Sequence, residues 1–135
     1  MTDYDLGILW ALGGHDNAGR FVMRCKNKYF LEQIQKYTNC NIYEQATPQV
    51  EKQYVLKFAS KEIDFLKSLQ WSSRKSNERM LPTVENYSDF LRAYFEIHCR
   101  LDYSTRHLRH GFKDRRLRLK IYGNAILMQK HKRAA

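Results

Sequence analysis

Hydrophobic and polar residues are unevenly distributed along this chain. The stretch LGILWALGGHD, Leu6 to Asp16, is almost wholly apolar and ends on two glycines, a histidine and a single carboxylate. Gly7, Ala11 and Gly14 recur at i, i+4 and i+7, so on a helix they share one face of small side chains. That pattern predicts a buried helix, packed closely on a second helix, that delivers Asp16 to a surface at its C-terminal end. A plain core helix or a buried strand, with Asp16 in a solvated turn, fits the same run.

Shorter patterns follow. Asn17-Ala18-Gly19 reads as a turn. Arg20 to Lys26 reads as a strand, with Phe21, Met23 and Cys25 on one face and Arg20, Val22, Arg24 and Lys26 on the other. Asn27 caps a helix over Lys28 to Tyr37, whose inner side is Phe30, Leu31 and Ile34. Strands are expected at Asn41 to Gln45 and Gln53 to Phe58, on either side of a loop with Pro48. Ser60 caps a helix over Lys61 to Leu69. Ser72 to Asn86 is polar and basic and contains Pro82, the makeup of a linker or an ordered surface loop. A helix starts near Ser88 or Asp89 and runs through DFLRAYFEIHC. A basic stretch from Arg100 to Lys113 breaks at Gly111. Arg115 to Gly123 then alternates Arg116, Arg118, Lys120 and Tyr122 against Leu117, Leu119 and Ile121, a strand with one basic and one apolar face. Asn124 caps a last helix with Ile126 and Leu127.

The two halves resemble each other. RFVMRCKNKYFLEQIQK, from Arg20, lies over RLRLKIYGNAILMQKHK, from Arg116, and an apolar helix stands upstream of each. Two such helices, each short of a polar face, are expected to pack on one another. The second copy lacks a counterpart of Asn41 to Leu69. The expected organisation is one domain: a first repeat over 1–71, a linker over 72–86 and an incomplete second repeat over 87–135.

Charge gives this pattern a partner. The formal net charge is +10, which points to a polyanion. Residues 1–70 hold nine Lys/Arg against eight Asp/Glu, and residues 71–135 hold fifteen against six, so the second half carries the footprint. No stretch reaches the apolar length of a membrane span, and the N-terminal MTDYDLG has no basic region of the kind that opens a signal peptide. Cys25, Cys40 and Cys99 are odd in number and widely spaced, and form neither a disulfide framework nor a zinc signature. The expected setting is cytoplasmic and nucleoid-associated, or another reducing intracellular compartment.

On these residues the chain resembles the LAGLIDADG homing endonuclease and maturase family. Leu9-Trp10-Ala11-Leu12-Gly13-Gly14-His15-Asp16-Asn17 lies over the first motif and Leu91-Arg92-Ala93-Tyr94-Phe95-Glu96-Ile97-His98-Cys99 over the second. The resemblance implies an α+β fold of two repeats. A central pair of motif helices would pack through small residues and carry antiparallel, saddle-shaped sheets, with the second repeat cut short. It also implies that an acid near the end of each motif binds divalent metal for phosphodiester hydrolysis. Asp16 matches that acid in the first motif. The second places His98 there, with Glu96 at the other acidic position, and Asn17 and Cys99 replace the closing glycines.

These departures bear on catalysis. Two-metal hydrolysis needs hard oxygen ligands, and one carboxylate with one imidazole makes a poor magnesium site. Glu96 lies two residues before His98, a rotation of about 200° on a helix. Nucleic-acid binding survives the loss of the acids, because a sheet with Arg and Lys at alternate positions can enter the major groove. The candidates are Arg20, Arg24 and Lys26 from the first sheet and Arg116, Arg118 and Lys120 from the second, with Arg106 and Arg109 from its loop. Gln53, Tyr54 and Lys57 are secondary candidates.

The leading expectation is a double-stranded DNA-binding protein of homing-endonuclease descent, without cleavage, without a cofactor and acting as a regulator. One alternative is an active site-specific endonuclease of mobile-element or phage origin, using Mg2+ on Asp16. Another is a maturase-like protein that binds structured RNA, and a further one is a basic module for an acidic protein. The incomplete second repeat leaves a sheet edge that a second copy would complete as a homodimer, while a pseudo-dimeric monomer is equally allowed.

Overall fold

The first helix, α1, spans Asp3–Leu12, and every residue from Asp5 to Leu12 is buried. A helix that is apolar on all sides has no solvent face, so the other elements pack around it. The Thr2 hydroxyl caps it by accepting from the Asp5 amide at 3.1 Å. Asp3 and Asp5 in its first turn complement the positive end of the helix dipole.

The helix expected to run through Asp16 stops at Leu12, and Gly13–His15 forms a short strand, β1. Two adjacent glycines weaken the helix at this point. Gly13 also lies where a side chain would collide: a Cβ there would stand 2.7 Å from the Leu9 carbonyl oxygen and 2.8 Å from Phe21 Cζ. Strand pairing with β2, Phe21–Cys25, takes over, in the register Gly13 to Met23 and His15 to Phe21.

The remaining elements are α2 Lys28–Gln35, β3 Ile42–Thr47, β4 Val50–Lys57, α3 Ile63–Ser68, α4 Tyr87–His98, β5 Cys99–His107 and β6 Lys113–Ile121. The structure, a computed structural model, describes residues 1–59, 63–73 and 79–121. The Ser60 cap, the first residues of its helix and the helix expected after Asn124 lie outside them. Asn27 caps α2 as expected, by accepting from the Tyr29 amide at 3.1 Å.

Strands β1, β2, β4 and β3 form, in that order, an antiparallel sheet. Phe21, Met23, Leu56 and Phe58 project from it into one core with α1 and with Leu31 and Ile34 of α2. By register, Tyr43, Gln53, Arg24 and Lys57 lie on the opposite, outer face. Val22 shares that face as expected, yet both it and Val55 are buried. Their register partners are Lys57 for Val22 and Arg24 with Tyr43 for Val55.

Helix α4 packs along α1. Asn86, its N-cap, donates its backbone N–H to Asp3 Oδ2 at 2.7 Å, and His98 Nε2 lies 2.7 Å from the Ala11 carbonyl oxygen at the other end. Start meets start and end meets end, so the helices run parallel. Gly7 makes the close approach that the small-residue face predicts. A Cβ at this position would fall on the Phe90 carbonyl oxygen and 2.8 Å from Ala93 Cβ.

The linker expected over 72–86 is instead packed against the core where it is described. Trp10 donates its indole N–H to the Met80 carbonyl at 2.9 Å, and the Arg79 guanidinium, 2% exposed, donates to the Trp10 carbonyl. A buried indole needs an acceptor and the last carbonyls of a helix need donors, and this segment supplies both. Leu81 and Val84 add apolar contact.

The basic stretch that begins at Arg100 is largely a strand. β5 pairs antiparallel with β6 from Cys99–Ile121 to His107–Lys113 as a two-stranded ribbon. The hairpins β1–β2 and β5–β6 close on the same three-residue loop. Asp16 donates its amide to Arg20 O at 2.9 Å, and Leu108 to Phe112 O at 2.8 Å. Gly19 at φ 78° and Gly111 at φ 77° occupy the left-handed position that such loops require.

Candidate nucleic-acid interface

Asp16 closes the first of these loops. Its Oδ1 accepts from the amides of Ala18 and Arg20, both at 2.9 Å, and its Oδ2 accepts from Arg20 Nε at 3.1 Å. This is the local side-chain-to-backbone pattern that aspartate favours at the first position of a type I turn. The Arg20 amide, helped by the Arg20 charge and the Ala18 amide, holds the carboxyl below its ordinary pKa against the opposing effect of burial. Both oxygens are engaged by donors of the turn itself.

The other two positions singled out by the resemblance lie elsewhere. Glu96 Oε2 accepts from the Tyr4 hydroxyl at 2.6 Å, and Arg92 covers the Tyr4 ring at 4.8 Å. Burial and then the Glu96 hydrogen bond push the Tyr4 hydroxyl well above the ordinary tyrosine range. His98 meets Ala11 O at the end of α1, and its ring lies tilted against that of Tyr94, with centroids 4.7 Å apart. Asp16, Glu96 and His98 thus engage three different partners and do not converge. Among the described residues no group of three or more His, Cys, Asp or Glu is placed to hold a metal ion.

The geometry also bears on the alignment behind that resemblance. α1 is capped at its C-terminal end by Gly13 and α4 by Cys99, each donating its amide four residues back, to Leu9 and Phe95. The last helical residues are therefore Leu12 and His98. In the first hairpin Asp16 has the role that Leu108 has in the second. Aligning Asp16 with His98 places a turn residue over a helix-end residue.

The basic positions fall into two groups. Arg24 is exposed on the outer face of the four-stranded sheet beside Lys57, whose ammonium lies 5.8 Å from the centroid of the Tyr43 ring. Arg20 and Lys26 flank β2, and each is shared with an acid, Asp16 and Glu51 respectively. Lys26 in turn holds the Glu51 carboxyl below its ordinary pKa. Gln53 and Lys57 lie on the outer face, whereas Tyr54 pairs in register with Cys25 on the inner one and leaves the candidate set.

In the ribbon, Arg116 and Arg118 are exposed, and Arg116 Nε donates to Asp114 Oδ2 at 3.0 Å along one side of β6. Arg106 pairs in register with Asp114, and Lys120 with Arg100. Arg109 is exposed in the turn. Sequence reasoning misses Lys57 as a leading candidate, together with Tyr43 beside it; the alternation of β4 holds the signal for Lys57. It also misses Arg79, whose role comes from a contact made 69 residues away.

No family model and no curated protein matches this chain. Among the described residues no helix is long and apolar enough to cross a membrane.

Proposed function

We propose that this chain is a double-stranded DNA-binding protein of the LAGLIDADG type of fold in which cleavage has been lost. The observation that supports this reading is the arrangement of helices and hairpins. Two parallel, closely packed helices open directly into hairpins with the same glycine-closed loop, and both hairpins expose arginines: Arg24 in β2, Arg116 and Arg118 in β6. Such strands fit the major groove, where arginine can take the O6 and N7 atoms of guanine and lysine the phosphates.

The loss of cleavage rests on what occupies the helix ends. Leu12 and His98 are the last helical residues, and neither is a carboxylate. The carbonyls of Trp10 and Ala11 are taken by Arg79 and His98, and a buried guanidinium repels a divalent cation. Asp16 serves its own turn. These residues do not fit a magnesium centre.

Fluorescence anisotropy on duplex DNA tests the binding surface. Arg24→Ala, Arg116→Ala and Arg118→Ala are each expected to weaken binding, and each phosphate contact removed should lower the slope against log salt by about 1. Affinities unchanged in all three variants would contradict the assignment of these strands. Tighter binding to structured RNA than to duplex DNA would favour the maturase-like alternative.

A further inference from the structure

The tip of the β5–β6 ribbon carries the wrong residues for a solvated turn. Leu108 and Phe112 close it, joined by the Leu108 amide to the Phe112 carbonyl at 2.8 Å, and they are 41% and 69% exposed. Phe112 is the most exposed of the large hydrophobic side chains described. Arg109 lies exposed between them, and His107 and Lys113 form the next pair along the strands. A phenylalanine held in water among cations loses the benefit of burial in this chain.

Strand alternation places Phe112 on the same side as Asp114, Arg116 and Arg118, and the Arg116–Asp114 bond runs along that side. The row thus passes from an apolar tip to exposed arginines. The ribbon pairs over nine residues, about 30 Å at strand spacing, and among the described residues its packing is chiefly on itself and on α4. Its tip is braced by backbone hydrogen bonds and by Gly111 at φ 77°.

We infer that this ribbon is a DNA-bending arm: its arginines grip the duplex while Phe112, backed by Leu108, wedges between two stacked base pairs. The inference rests on the DNA-binding reading above. Charge complementarity selects the partner, since an apolar tip carried on a row of arginines suits a stack of bases between two phosphate backbones. Apolar wedges with cationic flanks are a general means of kinking a duplex.

A centrally nicked duplex of about 30 bp, set against its intact counterpart, tests the wedge. A nick removes much of the unstacking cost, so the wild-type chain is expected to bind the nicked duplex about tenfold tighter or more. Phe112→Ala should bring the two affinities together, and Phe112→Leu, which keeps an apolar tip, should restore part of the difference. Phe112 is exposed, so neither substitution opens the core. Equal affinities for the wild type, or an undiminished preference in Phe112→Ala, would overturn the wedge and leave DNA binding standing. Failure to bind either duplex would overturn the DNA reading, and the wedge with it.

Discussion

Asp16 is the residue on which function and structure compete most directly. Its carboxylate satisfies two backbone amides and one guanidinium within five residues of chain, so its charge is used where it lies. Its folded pKa lies below the ordinary aspartate value, so the stabilisation is present above about pH 4 and lost as pH falls through the lower folded value. Asp16→Asn keeps an acceptor for the amides but loses the charge. The variant should melt below the wild type at neutral pH, and the gap should close in acid. Thermal unfolding followed from pH 7 to about pH 2 reads this directly. A gap that persists unchanged in acid would mean that charge at this position does not support the turn. Asp-Asn-Ala-Gly is legible as a turn in the sequence, but the apolar run before it reads equally well as an unbroken helix, and only strand pairing with Phe21–Met23 decides between them.

At the scale of elements, the close packing of α1 on α4 is the feature that orients both hairpins. Gly7 permits it, because any side chain there meets the α4 backbone at Phe90. Gly7→Ala is expected to destabilise the fold by about 1–3 kcal/mol, the usual cost of overpacking, despite the higher helix propensity of alanine. Chemical denaturation would measure it, and a stabilised variant would contradict the close approach. Gly14, expected on the same helix face, lies in β1, but the small-residue spacing of Gly7 and Ala11 makes this contact legible from the sequence. The Asn27 cap and the alternation of β4 do the same for α2 and that strand. β5 is harder to read, although Leu101 and Tyr103 alternate with Arg100, Asp102 and Ser104, because the density of charge masks a period of two. The fixed stretch around Arg79 is hidden for another reason. A polar, proline-containing segment reads as a linker, and its anchors, Trp10 and the end of α1, are remote in sequence.

For the whole molecule, the uneven charge and the two basic strands are readable from composition and alternation alone. The pairing of Arg20, Lys26 and Arg116 with Asp16, Glu51 and Asp114 is not, because Glu51 lies in β4, remote in sequence from Lys26 just after β2, and nothing in the sequence assigns partners to the other two acids. The Lys26–Glu51 and Arg116–Asp114 pairs are exposed and stabilise the fold little, so phosphates can displace those two carboxylates at small cost, whereas Asp16 is held by its own turn. Arginines on hairpins that open from a closely packed helix pair are the surface on which the proposed DNA binding depends. The most direct measurement is selection from a random duplex pool in magnesium at moderate salt, with the recovered DNA checked for breaks. Enrichment of one intact site is the expected result. Enrichment of a site that is also cut would contradict the loss of cleavage, and no enrichment would contradict specific duplex recognition altogether.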